Sequence, residues 1–391
     1  VDVVNRSGIA GWAANSDNPA EEVVLRIVID GQPTRAIANI LRPDCRPFPN
    51  ATGRYGFASD AASLPLSPYV AHDVAVFFAK TGAPVSGGTV HIPVAGSAGN
   101  AEHTPGSRRP IILTSTGRAG SSLLMARLAQ HPDIIVAHQH PYEIKLLSYY
   151  ASAYRTLVCE ANRQKSTDPD SLGVPNQRFY IGQNPYNSLF DWRDPVMRRY
   201  WAETAPDILR KAVTGSINAY YAAAGEKAGK PNAAYFAEKI GTSELVRQAA
   251  HFMFGPVTEI VLVRDPRDIV CSSQKFWRRD VNASILSLRG QFVMLSRPPA
   301  HPTTRRHVLR YEDLAMRPHE AMTELFEFLG VSSDISAIDP DVEAKVFKSH
   351  GTSATVDATI GRWRRDLSDE EAAVANRELL PFIEHYGYHV V

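Results

Sequence analysis

The sequence predicts an α/β protein, a three-layer sandwich with a central parallel sheet, preceded by a small all-β sandwich domain. Three observations predict it. Pro110–Leu128 and Val257–Trp277 each read as a buried strand, a polar turn and a helix. Between and after them, strand-like and helix-like segments alternate, as they do around a parallel sheet. Residues 1–95 instead hold short β-branched and aromatic runs separated by turns. The expected division is therefore a sandwich over 1–95, a Gly/Pro/Ser-bearing linker over 96–109 and an α/β domain over 110–391.

In the first region, Val23–Ile29 and Val74–Phe78 read as strands, Asp30-Gly31 as a hairpin turn, and Gly53–Phe57 as a turn leading into another strand. Gly11-Trp12-Ala13, Arg42-Pro43-Asp44 and Gly53–Phe57 resemble a sandwich module attached to bacterial glycan-handling proteins. Trp12, Tyr55 and Phe57 are either sugar-stacking residues or core and corner residues of a small β domain.

Bulk properties bound the rest. A chain of 391 residues, 44% of them hydrophobic, can build two real cores. With a net charge of +1, any anion site must be built locally. Three scattered cysteines, Cys45, Cys159 and Cys271, fit neither a disulfide framework nor a zinc site and point to a reducing, cytoplasmic setting. No run approaches a membrane span. The first residue is Val1 rather than methionine, which leaves room for a removed leader or anchor.

In Pro110–Leu128, Ile111-Ile112-Leu113 form the strand, Ser115 to Ser122 the turn, and Leu123, Leu124, Arg127 and Leu128 take helical spacing. Such a turn brings backbone N–H groups and a helix's positive end onto one anion. Gly117 and Gly120 allow close approach, Arg118 adds charge, and Ser121 and Ser122 add hydroxyls. It is not a Walker A loop, because only two residues separate the glycines and no lysine follows. A plain strand-to-helix corner is the alternative.

Next come a short strand, Ile134–Val136, and a helix from Ile144 to Tyr154. His138 and His140 lack a third ligand nearby, so a non-metal role is expected. Glu143 is either a base beside the anion turn or a carboxylate favoured by the helix dipole. Residues 160–200 form a polar insertion whose aromatics (Phe179, Tyr180, Tyr186, Phe190, Trp192) either line an acceptor cleft or pack the insertion down. Ile208–Ala224 reads as a helix, and Ala233–Ala237 as a strand ending in Glu238-Lys239, where ligands gather in α/β sheets. Thr242–Phe254 is a capped helix.

In the second unit Glu259–Val263 is a strand, Arg264 to Asp268 the turn, and Ile269–Trp277 a helix. Arg264 and Ser272, eight apart, can reach one small anion, and an arginine fork suits a phosphate. Arg305–Leu314 gives a further strand and turn, Pro318–Leu329 a helix, and Ser368–Tyr386 a last helix. Before it, Arg362, Arg364 and Arg365 around Trp363 could clamp an anionic purine or form a solvated basic turn.

This order of motifs resembles the sulfotransferases that use 3′-phosphoadenosine 5′-phosphosulfate (PAPS), over residue 110 to the C-terminus. Thr116, Gly117, Arg118, Ala119, Gly120, Ser121 and Ser122 resemble the 5′-phosphosulfate loop. Arg264, Asp265, Pro266, Arg267, Asp268 and Ser272 match the 3′-phosphate site, and Tyr311 the tyrosine near the adenine. Gly361-Arg362-Trp363 resembles the late segment that closes over the nucleotide. Glu143 followed by Ile144 resembles the glutamate base of heparan sulfate N-sulfotransferases, with His140 in reserve as the histidine base of cytosolic members. Phe236-Ala237-Glu238-Lys239 resembles their Phe-Glu-Lys with one residue inserted, which makes Lys239 the catalytic lysine.

The resemblance implies a P-loop-like fold, a metal-independent enzyme of EC 2.8.2 type, PAPS as donor, PAP as product, and an acceptor hydroxyl on a small molecule, saccharide or glycolipid. No nucleic-acid partner is expected. The alternatives are a nucleotide kinase, which lacks its Walker lysine here, and a non-catalytic nucleotide-binding scaffold, which would not be expected to keep Glu143 and Lys239.

Overall fold

A computed structural model describes residues 1–6, 8–42, 44, 53–60, 66–96, 107–137, 141–158, 194–334, 348, 351–353 and 355–389. They fall into two compact units, Val1–Gly99 with Ser152–Ala212 and Asn100–Ala151 with Val213–Val391.

The first unit contains two antiparallel sheets. One is ordered β1-β2-β5, from β1 (Val3–Asn5), β2 (Gly8–Trp12) and β5 (Gly56–Asp60). The other is ordered β4-β3-β6-β7, from β3 (Val23–Ile29), β4 (Gln32–Ala38), β6 (His72–Phe78) and β7 (Val90–Ile92). Strict alternation in β3 sends Leu25, Ile27 and Ile29 inward, where they meet Ile9, Phe57, Val74 and Val76. Asp30 (φ +50°) and Gly31 (φ +80°) make the expected hairpin turn, since two left-handed residues match the strand twist. Tyr55 and Phe57 are core residues, each 2% exposed, which removes them as sugar platforms, whereas Trp12 is 40% exposed.

The second unit is built on a five-stranded parallel sheet ordered β12-β11-β8-β10-β9. Its strands are β8 (Arg109–Ser115), β9 (Ile134–Val136), β10 (Tyr235–Gly241), β11 (Thr258–Val263) and β12 (Arg305–Arg310). Ile111, Leu113, Ile260 and Leu262 pack on α1 (Ser121–Leu128), α6 (Pro266–Trp277), α7 (Val281–Leu295) and α9 (Pro318–Leu329). On the other face Phe236 stacks on Tyr221 of α4 (Ala205–Lys227) at 4.2 Å and meets Phe254 of α5 (Glu244–Phe254) edge-on. Near-continuous burial of β8 and β11 follows from helices covering both faces. Among the described residues the other α-helices are α2 (Leu146–Val158), α8 (Tyr311–Met316) and three near the C-terminus, with α3 (Pro195–Arg199) in the first unit.

Two expected boundaries move. The last helix is two, Asp369–Glu378 and Leu380–His385, because Pro381 has no N–H to continue the ladder. β10 runs on to Gly241 rather than ending at Lys239, and its pairing with β8 slips between Lys239 and Gly241.

Glu259 of β11 is fully buried and holds three elements together. It is ion-paired with Arg247 of α5 at 3.0 Å and accepts from Thr114 of β8 at 2.7 Å and Arg306 of β12 at 2.9 Å. Glu259→Ala takes from Arg306 its carboxylate partner and leaves Arg247 with Glu244 alone, and is expected to cost about 3–5 kcal/mol, the range for breaking a buried pair. A urea-unfolding midpoint equal to that of the unchanged protein would refute this.

Candidate active site

β8 leads to β9 on one side of the sheet, and β11 leads to β12 on the other, so connections diverge where β8 and β11 lie side by side. Ligands bind at such a point because the loops beyond the two strands part there. Both anion turns sit there. In the first, Arg118 (φ +68°) and Gly120 (φ +95°) are left-handed. Glycine is required at 120, where φ is left-handed and a Cβ would overlap the buried Tyr311 ring, while at 117 a Cβ would press on the tip of the Trp277 indole. α1 opens with no side-chain cap and no acidic residue in its first turn, which suits an anion. Thr116 Oγ1 is buried and has no hydrogen-bond partner among the described residues.

In the second turn Asp265 caps α6, accepting from Arg267 N at 3.0 Å, and Pro266 occupies the first helical position. The two turns are bonded to each other. Arg118 Nε donates to Ser272 Oγ at 3.1 Å, and Arg264 Nη1 donates back to the Arg118 carbonyl at 3.2 Å. Arg264 also donates to Thr359 O at 2.6 Å and lies over Tyr311 at 4.5 Å, while its buried Nε has no partner among the described residues. Tyr311 Oη and Thr359 Oγ1 are 2.9 Å apart. Arg362, fully buried, pairs with Asp366 and donates to Thr352 Oγ1, each at 2.7 Å. Burial, and then the neighbouring Arg264 and Arg362, push the Arg118 guanidinium down to about 10. A guanidinium crowded by other cations in this way favours an added anion.

Two expectations change here. The Arg118 side chain runs to Ser272 and lies 3.9 Å over Phe276, so it serves the second turn rather than the 5′ cradle alone. The Trp363 ring is withdrawn into the core, with the Arg267 and Arg364 guanidiniums against it at 4.0 and 4.6 Å, and it offers no stacking platform. Its apolar bulk is better satisfied there, and its segment meets the site through its backbone. Asp268 accepts from Gly361 N at 2.8 Å and Trp363 N at 3.1 Å. Burial raises the Asp268 carboxyl to about 6, although Arg264 and these N–H groups oppose the shift.

The lysine side of the site lies at the start of α1. Lys239 Nζ donates to Ser122 Oγ at 3.2 Å, Pro141 O at 2.7 Å and Glu143 Oε1 at 2.9 Å. Burial lowers its pKa more than Glu143 raises it. Glu143 does not open a helix as expected, because α2 begins only at Leu146. It stands in a turn with left-handed Tyr142 (φ +64°) on one side and Lys145 (φ +50°) beyond Ile144 on the other. Reasoning from sequence missed Glu238, which is 2% exposed and accepts from Tyr221 Oη at 2.7 Å and Leu147 N at 3.0 Å. Burial raises its carboxyl to about 7. Thr352 and Thr359 were missed as well, and nothing in their local sequence marks them. His140 and the aromatics of the insertion lie outside the described residues. Among the described residues no group of three or more His, Cys, Asp or Glu could hold a metal ion, and no helix is long and apolar enough to cross a membrane.

Sheet order, two bonded strand-to-helix turns and a lysine–glutamate pair define a parallel α/β protein of the P-loop-like class. The sequence model of the sulfotransferase family matches residues 110–334, and the chain belongs to that family. Among curated relatives, carbohydrate sulfotransferase 1 of Danio rerio is 29% identical over an alignment covering 34% of this chain. The alignment spans 38% of that relative's length. The sulfotransferase domain from the Synechococcus PCC 7002 olefin synthase is 19% identical, with a TM-score of 0.43, covering 75% of this chain and all of that one. Retinol dehydratase, solved with retinol and PAP, is 13% identical with a TM-score of 0.33, covering 81% and 91%.

Proposed function

We propose that this protein transfers the sulfuryl group of PAPS to an acceptor hydroxyl, with a saccharide as the favoured acceptor class. The observation that carries the reading is the reciprocal bonding of the two anion turns, Arg118 to Ser272 and Arg264 to the Arg118 carbonyl. A nucleotide bearing phosphate at both ends of its ribose suits two anion turns held this close. The name of the Danio rerio relative supports a carbohydrate acceptor.

In this reading the amides of Ala119 to Ser122 hold the 5′-phosphosulfate at the start of α1. Arg264, Ser272 and Arg118 hold the 3′-phosphate, and Tyr311 with Gly361 and Arg362 fixes the nucleotide's place. Glu143 takes the proton of the acceptor oxygen as that oxygen attacks sulfur, and Lys239 neutralises the phosphate oxygen as its bond to sulfur breaks. Sulfuryl transfer, like phosphoryl transfer, is mainly positioning and charge stabilisation along one line.

Arg264→Ala is expected to weaken PAP binding by about 1.5–3 kcal/mol, the range for charged hydrogen bonds. Isothermal titration measures it, and unchanged affinity would reject the 3′-phosphate assignment. Incubation with PAPS and a panel of alcohols and oligosaccharides, read by mass spectrometry for one added SO₃, tests the acceptor class. Sulfation of simple alcohols but of no sugar would overturn the saccharide reading.

A further inference from the structure

We infer that Glu238 is a positioning residue for Glu143, clamping to β10 the far end of the turn whose near end Lys239 holds. The inference rests on the proposed role of Glu143 as base.

Consecutive residues of a strand point to opposite faces, so Glu238 and Lys239 leave β10 in different directions. Both return to one short segment, 141–147. Lys239 takes Pro141 O and the Glu143 carboxylate at its beginning, and Glu238 takes Leu147 N at its end. Between these attachments lie Tyr142 and Lys145, both left-handed and neither glycine. Non-glycine residues persist in that conformation only where their surroundings hold them. A chain released at one end would relax to ordinary φ values and carry Glu143 with it.

A carboxylate with 2% exposure is costly unless its oxygens are bonded. Glu238 has one donor on each oxygen, Tyr221 Oη on Oε1 and Leu147 N on Oε2. Tyr221 is itself fixed by its stack on Phe236. The carboxylate does not touch Lys239 Nζ or the first anion turn in any described contact, so its route to the chemistry runs through the 141–147 segment.

The test is a double-mutant cycle on the full chain, with PAP affinity measured beside turnover. Glu238→Ala is expected to lower kcat about tenfold or more while the PAP Kd stays within about twofold, because only the base is displaced. Glu238→Gln restores most of kcat, since its carbonyl can accept from Leu147 N and its amide can donate to Tyr221 Oη. In a Glu143→Gln background, Glu238→Ala changes kcat by less than about twofold, the signature of two residues acting as one unit. If Glu238→Ala does not fold, Glu238→Met, of similar volume and without an acceptor, replaces it. Full multiplicative loss on Glu143→Gln, or normal turnover in Glu238→Ala, overturns the inference. Normal turnover in Glu143→Gln alone overturns the base assignment instead, and the inference falls with it.

Discussion

Glu143→Gln lowers kcat by about 10²-fold or more, the low end of what a positioned general base supplies, with PAP affinity unchanged. The substitution keeps volume and one carbonyl acceptor, so Lys239 Nζ can still donate to position 143, as it does now at 2.9 Å. What is lost is the capacity to accept a proton. Nucleotide affinity should not move, because Arg118, Arg264 and Ser272 form the other end of the site. The glutamate is half exposed and stands in a turn, where an acceptor can reach it. Steady-state kinetics with an acceptor that the enzyme sulfates and a parallel PAP titration separate these effects. Turnover near that of the unchanged enzyme would move the base to His140.

The legible parts of this molecule were those in which sequence neighbours are also neighbours in space. Strand, turn and helix in 110–128 and 257–277 are local, so β8–α1 and β11–α6 were readable with Gly117, Gly120, Arg264 and Ser272 in place. The hairpin at Asp30-Gly31 was readable for the same reason. What escaped depends on partners far along the chain. Glu238 is a binding post only because Tyr221 and Leu147 come to it, and as text it is a charged residue beside a lysine. α2 begins at Leu146, where its first turn donates from Leu147 N to that distant carboxylate. Thr359 gains its place from Arg264 and Tyr311, 95 and 48 residues away. Trp363 looked like a platform because arginines surround it in sequence, but its own bulk carries it into the core, where the nearest guanidinium is Arg267's.

Lys239→Ala is expected to lower kcat by about 10²–10³-fold, the loss seen when one preorganised electrostatic donor is removed. Lys239 is 5% exposed, and burial already costs it some of its affinity for a proton. A buried ammonium acts on developing charge through a lower dielectric than water offers, so its effect grows as the phosphate oxygen becomes anionic. Its donors now go to Ser122, Pro141 and Glu143, which sets it at the head of α1 on the side where the base stands. Lys239→Arg does not restore the rate, because a planar fork cannot reproduce three donors radiating from one nitrogen. The Lys239→Ala, Glu143→Gln double variant should lose less than the product of the single losses, since removing the ammonium also frees the carboxylate from its ion pair. Single-turnover measurement at saturating PAPS isolates the step. A wild-type rate for Lys239→Ala would show that the leaving oxygen is neutralised elsewhere.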